Sequence, residues 1–229
     1  MIELRQSKQG TADLILDVAE RLFADHGYKA VSLRSILREC GANTAAAHYH
    51  FGSKQELLEA IFERHSAGMN AARLELLAAS KVTPNSPDTI ERILEAFLRP
   101  ALVWRDDDSG TRRFMRLRAV VANEQEDLAR GLIARYFNET SQHFIGALSA
   151  ELPHLGMPEL YFRFHFLLGS HYYTVLNPGR IYDLSNGLCD PADTEQTLRA
   201  MICFFAAGLR APNSIPESTT PLQSMETTT

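Results

Sequence analysis

The sequence predicts an all-α protein, with an N-terminal three-helix helix-turn-helix domain followed by a larger helical domain. Apolar residues recur along most of the chain with the three- and four-residue spacing of amphipathic helices. No segment alternates with a period of two over the length of a strand, and residues that cap or stop helices separate the periodic segments. With 229 residues, of which 45% are apolar and 22% charged, the chain can bury a substantial core.

The first two helices are predicted from an apolar stripe and its flanking caps. The stripe of the first helix lies at positions 15, 18, 19, 22 and 23. We predict Thr11 as its N-cap and Gly27 as its stop in the left-handed conformation. A short second helix is expected between an N-cap at Ser32 and a stop at Gly41, with residues 33, 36 and 37 facing inward.

Two further helices complete the predicted N-terminal unit and lead out of it. Asn43 can cap a short third helix over residues 44–50. Ser53 and Glu56 have the spacing of a capping box, which predicts the start of a long fourth helix that runs to about residue 79. Two prolines in 81–88 then predict a break.

The rest of the chain predicts five more helices and a tail. Their approximate ranges are 88–105, 111–124, 126–151, 158–176 and 192–210, with a loop over 177–191. Residues 212–229 are rich in Pro, Ser and Thr and have no apolar period, so we expect a disordered tail. We interpret residues 1–55 as one domain and 56–211 as the other.

The net charge of −5 at first argues against a partner with a phosphate backbone, because nucleic-acid affinity depends on Lys and Arg. The charge is unevenly distributed, however. Residues 1–54 hold seven Lys and Arg against six Asp and Glu, a net charge of +1, which leaves −6 for residues 55–229. The direction of this asymmetry, more than its size, favours nucleic-acid binding by the N-terminal unit.

Several other classes are not expected. No apolar run approaches the ~18 residues that span a bilayer, and the N-terminus has no apolar signal segment. Cys40, Cys189 and Cys203 are too scattered for a disulfide framework or a zinc cluster. The HExxH, P-loop, GxGxxG and GxSxG motifs do not occur. We therefore expect a cytoplasmic protein that is not an enzyme and has no metal, cofactor or membrane partner.

The third helix carries the candidate DNA-reading residues, since the second helix of a helix-turn-helix enters the major groove. Its small front lets the backbone approach base edges, and its hydroxyls and imidazoles can bond bases and phosphates. The residues concerned are Asn43, Thr44, Ala45, Ala46, His48, Tyr49 and His50. The alternative is that the alanines are only good helix formers and the histidines are ordinary surface residues.

Spaced blocks in this unit resemble the N-terminal domain of TetR-type transcriptional regulators. The blocks lie at 15–23, 27–28, 32–36, 41–43 and 49–58, and the match covers roughly residues 11–62 without a gap. The resemblance implies double-stranded operator DNA as a partner.

Individual DNA contacts follow from the resemblance. It implies phosphate contacts by Lys54, Tyr49 and His50, and a phosphate or base contact by Arg34. Ser32, at the N-cap of the second helix, can donate a hydrogen bond to a phosphate. Two positions depart from the pattern: His48, where relatives more often have Tyr or Asn, and Ala47, where a larger apolar residue is usual. His48 is therefore expected to read a different base, and the third helix to pack less firmly.

The second domain is expected to bind a ligand and to dimerise. Segments 114–117, 159–169 and 204–210 are similar to a subgroup linked with fatty-acid metabolism, which implies a fatty acyl or other apolar effector in a pocket between its helices. Candidate lining residues are Phe97, Trp104, Phe114, Arg118 and Phe144. For each aromatic residue the alternative is plain core packing.

A homodimer is expected from the helices at 158–176 and 192–210. The first of these is apolar nearly all round and must be buried on most sides, and Gly169 and Ser170 allow another helix to approach closely. The family resemblance implies that these helices pair with their symmetry mates, and two-fold partners read two half-sites. The alternative is a monomeric core.

These observations predict a DNA-binding transcriptional regulator, a repressor that a small apolar effector releases from its operator. An activator or dual regulator remains open within the same class. From another class, the alternative is a helical small-molecule carrier with a vestigial DNA-binding unit.

Overall fold

A computed structural model describes residues 2–41, 51–80, 86–103 and 109–214. These parts of the chain form helices and contain no strand, which confirms the predicted all-α class. The helices are α1 (Ile2–His26), α2 (Leu33–Cys40), α3 (Lys54–Ser80), α4 (Thr89–Leu102), α5 (Ser109–Glu124), α6 (Glu126–Glu151), α7 (Met157–Leu176), α8 (Pro178–Leu184) and α9 (Thr194–Arg210). In this same set of residues, no helix is both long and apolar enough to cross a bilayer.

Helix α1 begins earlier than its apolar stripe predicts. Thr11 lies inside the helix, which extends back to Ile2, so its prediction as N-cap is wrong. The residues upstream of Thr11 include Leu, Gln, Lys and Arg, which favour a helix, and a capping side chain does not stop a helix that its neighbours can continue. The apolar stripe itself is confirmed, with Ile15 and Phe23 fully buried.

The predicted ends of α2 are confirmed in detail. Ser32 Oγ accepts a hydrogen bond from the Ser35 backbone N–H at 3.0 Å, and the Ser32 N–H donates to Ser35 Oγ at 3.1 Å. Gly41 ends the helix with φ +63°, and Gly27 ends α1 with φ +87°. Because these φ values strain any residue with a Cβ, glycine permits the sharp turn that follows each of the two helices.

Helix α3 joins the two halves of the molecule. Ser53 Oγ accepts from the Glu56 N–H at 3.1 Å, as one half of the predicted capping box requires. The predicted inward side, formed by residues 57, 58, 61 and 62, is fully buried. Since α3 runs unbroken from Lys54 to Ser80, the predicted boundary at residue 55 falls within a continuous helix.

Two hydrophobic clusters form the core. The first joins α1, α2 and the first half of α3 to α5 and the first half of α6. The second joins α4, the second half of α6, α7 and α9. The predicted loop over 177–191 contains the short helix α8, which Pro178 can start because the first helical position needs no N–H donor.

Candidate nucleic-acid interface and effector cavity

The predicted reading helix lies outside the described residues. Asn43, Thr44, Ala45, Ala46, His48, Tyr49 and His50 all belong to residues 42–50. The structure places what flanks them. Gly41 ends α2 before this segment, and Phe51 after it is half-buried against the first hydrophobic cluster, as expected of a residue that closes the three-helix core.

Helix α2 presents two of the predicted contact residues. Ser32 and Arg34 are both exposed at its first turn. The Ser32 hydroxyl oxygen is engaged in the cap, and its hydroxyl can also donate to Ser35 Oγ at 3.2 Å. Lys29 and Arg38 are exposed nearby, so this edge of the molecule presents several cationic side chains.

Lys54 has an intramolecular role that sequence reasoning missed. Its Nζ donates to the carbonyl oxygens of Tyr28 at 2.7 Å and Val31 at 2.8 Å, and lies 4.2 Å from the centre of the Tyr28 ring. Burial lowers the pKa of the Lys54 ammonium, against the attraction of Glu124. The lysine therefore fastens the α1–α2 loop to the start of α3, and its phosphate contact stays a prediction.

Acidic residues of α1 face away from this cationic edge. Glu20 is 1% exposed and accepts hydrogen bonds from Arg64 and from His65 Nε2, the latter at 2.9 Å. Asp17 pairs with Arg64 at 2.7 Å. Arg64 therefore offsets one of these two negative charges, and Glu20 is withdrawn from solvent into the contact between α1 and α3.

Helix α5 connects the N-terminal unit with the helical domain. Glu124, at its end, accepts from the Lys29 backbone N–H at 3.0 Å. The Phe114 ring stacks on His65 of α3 with a centroid distance of 4.5 Å, and Arg116 Nη1 lies 3.5 Å from Asp25 Oδ1. A shift of α5 would therefore act on the end of α1 and on the loop before α2.

A cavity of about 480 Å³ lies between α6 and α7. Arg118 of α5 lines it, together with Ile133, Ile145, Phe164 and Leu168. The predicted residues Phe97, Phe114 and Phe144 are packed in the core: Phe97 and Phe144 meet edge to face at 5.1 Å in the second cluster, and Phe114 lies in the first. Trp104 lies outside the described residues.

Two buried residues close to Arg118 escaped sequence reasoning. Arg73 and His171 are each 2% exposed and lie near Arg118 in the interior. Arg73 lies on the long helix α3, where a single arginine is typical of the surface, so no sequence signal marked it. His171 lies on α7, whose nearly all-apolar sequence indicated burial without singling out this residue. Across the described ranges, no three His, Cys, Asp or Glu side chains are grouped to hold a metal ion.

Helices α7 and α9 present aromatic rings to solvent in the single chain. Phe162, Phe166 and Tyr173 are more than half exposed, and Phe204 is 72% exposed. The sequence predicted that α7 is buried on most sides, and one chain does not bury this face. An exposed apolar surface of this kind is typical of a protein–protein interface.

Family models match both parts of the chain. The model of bacterial regulatory proteins of the tetR family matches residues 15–61, and that of the tetracyclin repressor-like C-terminal domain matches residues 95–208.

Among curated proteins, the regulator AcrR of Shigella flexneri is 35% identical over 74 residues, which are 32% of this chain and 34% of AcrR. BetI of Rhizobium meliloti (strain 1021) is 29% identical over 85 residues, 37% of this chain and 40% of BetI. The matched stretch thus spans well under half the length of these relatives.

Solved structures share the fold over most of the chain. The TetR family regulator PfmR from Thermus thermophilus superposes with a TM-score of 0.58 at 20% identity, covering 83% of this chain and 92% of PfmR. The fatty acid degradation regulator FadR from Bacillus halodurans gives 0.56 at 15% identity, covering 87% and 96%. A SmeT–triclosan complex gives 0.52 at 21% identity, covering 93% and 100%. At these identities the likeness shows the fold.

Proposed function

The chain belongs to the TetR family of bacterial regulators, and on that premise we propose that it is a DNA-binding transcriptional regulator, a homodimeric repressor released from its operator by a small apolar effector. The observation that carries this proposal is the α1–α2 unit. Its capped second helix ends at the left-handed Gly41, just before residues 42–50, and the cationic side chain of Arg34 is exposed on that helix. This is the scaffold that a helix-turn-helix needs to present its second helix to the major groove.

Dimerisation is proposed to use the exposed aromatic face of α7 and α9. A single helix-turn-helix contacts one half-site, and a two-fold dimer places two reading helices about 34–36 Å apart, one turn of DNA. Phe166 on α7 and Phe204 on α9 are large, exposed and apolar, so pairing with a second copy would remove them from water. Because the N-terminal unit is barely basic, paired half-sites matter more to affinity than bulk electrostatics.

The proposed route from effector to DNA runs along α5. Arg118 lines the cavity, and six residues later Glu124 holds the Lys29 backbone N–H. An effector that favours another position of α5 would alter the spacing of the two reading helices. By thermodynamic linkage, the factor by which the effector weakens operator binding equals the factor by which operator DNA weakens effector binding.

The apolar character of the effector is proposed from the cavity walls. Ile133, Ile145, Phe164 and Leu168 supply apolar surface for the body of such a ligand. Polar side chains line the cavity beside them: Arg118, Asn138, Ser141, Gln142, Tyr161 and His165. Two structural neighbours are consistent with such a ligand, since one is described as a fatty acid degradation regulator and another as a complex with triclosan.

Fluorescence polarisation with duplexes taken from beside the protein's own reading frame tests the proposal. We expect saturable binding by the purified dimer that weakens steeply with salt, and weak binding to a shuffled duplex. Arg34→Ala should lower the affinity for the duplex, whereas Arg130→Ala, at an exposed position of α6, should leave it unchanged. His48→Ala should change the preference among duplexes, and Tyr49→Ala should weaken all of them alike. Absent or salt-insensitive binding would refute the proposal.

Transcription from the adjacent promoter separates a repressor from an activator. Deleting the gene should raise transcription from that promoter, and complementation with the intact chain should lower it again. A fall in transcription upon deletion would contradict repression while leaving DNA binding intact.

A further inference from the structure

The interior of the helical domain holds two arginines without a counter-charge among the described residues. Arg73 of α3 and Arg118 of α5, here called the buried arginine pair, are 2% and 4% exposed. His171 of α7 lies beside both and is also almost fully buried. Three helices that are distant in sequence therefore bring two guanidinium groups and an imidazole together.

Aromatic rings surround the buried arginine pair. Arg73 Nε donates to the carbonyl oxygen of Phe97 at 2.9 Å, and its guanidinium carbon lies 4.1 Å from the centre of the Phe97 ring. The guanidinium carbon of Arg118 lies 3.9 Å from the centre of the Phe137 ring and 5.3 Å from that of Tyr172. Ring faces attract cations but leave their charge in place, so the site keeps two positive charges.

Several polar atoms of this site are unpartnered within the described parts of the chain. They are Nε and Nη1 of Arg118 and both ring nitrogens of His171. The buried carboxylates in these parts are engaged elsewhere, Glu20 with α3 and Glu159 with Arg163. Leaving buried cations unpaired is costly, and a site for an anionic ligand gives a physical reason for keeping them.

The electrostatics agree with this geometry. Burial first, and then the charge of Arg118, lower the pKa of Arg73 to about 9. Burial and both arginines lower the pKa of His171 to about 3, so its imidazole is neutral at pH 7. A neutral imidazole can donate one N–H to an anion without adding a third positive charge.

We propose that the effector is an anion with an apolar body, whose carboxylate or phosphate head group binds the buried arginine pair and whose apolar part fills the cavity between α6 and α7. Arg118 connects the two regions because it belongs to the pair and lines the cavity. The cavity volume of about 480 Å³ suits a small organic molecule. The planar guanidinium of arginine can donate two parallel N–H bonds to the oxygens of either head group. The inference rests on the proposed function in treating the ligand as an effector.

A series of ten-carbon ligands tests the head group on the unmodified dimer. Decanoate, decyl phosphate, decanol and decyltrimethylammonium share an apolar chain and differ in charge, and calorimetry and thermal shift measure their binding below their micelle concentrations. Both measurements should show binding of at least one anion, with the alcohol and the cation at least about ten-fold weaker. The tighter anion identifies the head group. Decanol that binds as tightly as the anions, or two anions that do not bind, would overturn the proposal.

Two variants on the same helix locate the site. Arg118→Met should weaken anion binding about ten- to a hundred-fold and leave decanol binding unchanged. Arg116→Met, whose side chain is 53% exposed, is the matched control and should bind the anion normally. Circular dichroism checks that both variants fold. If Arg118→Met does not fold, the ligand series on the unmodified dimer tests the anion site. Normal anion binding by folded Arg118→Met would refute the assignment.

Operator binding in the same samples separates this inference from the proposed function. If the dimer binds operator DNA but no anion, the anion site is wrong and the regulator stands. If it binds the anion through Arg118 but no DNA, the site stands as a binding site and the regulator is wrong. If anion binding lowers operator affinity in the unmodified dimer but not in Arg118→Met, both are supported.

Discussion

His171 makes the stability of this protein depend on pH between about pH 7 and pH 5. The imidazole is 2% exposed on α7, faces the cations Arg73 and Arg118, and lies 5.7 Å from the Tyr172 ring centre. Burial, followed by these two cations, lowers its pKa to about 3. Replacing it in His171→Leu removes the titrating group and keeps an apolar side chain in the core.

The size of the effect follows from proton linkage. In the unfolded chain a histidine takes up its proton near pH 6.5, whereas native His171 stays neutral until about pH 3. Its contribution is therefore fully present above pH 6.5 and is lost as pH falls, at about 1.4 kcal/mol per pH unit. Between pH 7 and pH 5 the loss is about 2 kcal/mol. This figure holds for any native pKa well below 5.

Urea unfolding at pH 7, 6 and 5 measures this dependence. Protein concentration must be held constant, because the apparent stability of a dimer depends on it. The unmodified chain should lose about 2 kcal/mol more than His171→Leu over this range. His154→Gln is the matched control, since His154 is exposed, and should behave like the unmodified chain. Parallel curves for the unmodified chain and His171→Leu would refute the reasoning.

Three further predictions concern the N-terminal unit and the dimer face. Glu20→Gln removes a buried carboxylate that pairs with two side chains of α3, and should lower the free energy of unfolding by about 3 kcal/mol in urea denaturation. Glu59→Gln breaks a more exposed pair and should lower it by less than about 1 kcal/mol. Equal losses in the two variants would contradict the difference expected between a buried and an exposed pair. Gly41→Ala should lower the free energy of unfolding by about 1 kcal/mol because φ is +63° there, whereas Gly68→Ala inside α3 should leave it unchanged or raise it. A greater loss in Gly68→Ala than in Gly41→Ala would exclude the left-handed turn. Phe204→Glu should shift the sedimentation equilibrium toward monomer with unchanged helical content, and an unaffected dimer would exclude the α7–α9 face.

Much of the N-terminal unit could be predicted because its signals are local. The Ser32 cap, the Gly41 turn and the inward face of α3 each depend on residues within a few positions of one another, and the structure confirms them. Thr11 shows where local signals fail, since a good cap does not stop a helix that can continue. The start of α8 at Pro178 was missed because proline followed by glycine favours a turn as much as a helix start.

For the candidate site residues too, local sequence signals predict some features, and others depend on contacts between distant segments. Lys54 was singled out from sequence, because a cation at a helix N-terminus needs a compensating partner. Which partner it has depends on where the α1–α2 loop lies, and the structure provides the carbonyls of Tyr28 and Val31. The core positions of Phe97 and Phe144 likewise depend on how α4 meets α6, which no local pattern reveals.

The sequence by itself determined the helical class, the order of the caps and turns, the helix-turn-helix unit and the family. Only the tertiary structure decided which charged residues are buried together. Arg73, Arg118 and His171 lie on three separate helices, and no local pattern shows that these helices bring them close together. A charge is desolvated by every element packed around it, so its burial depends on contacts between segments distant in sequence. For that reason the buried arginine pair became visible only once the helices were packed.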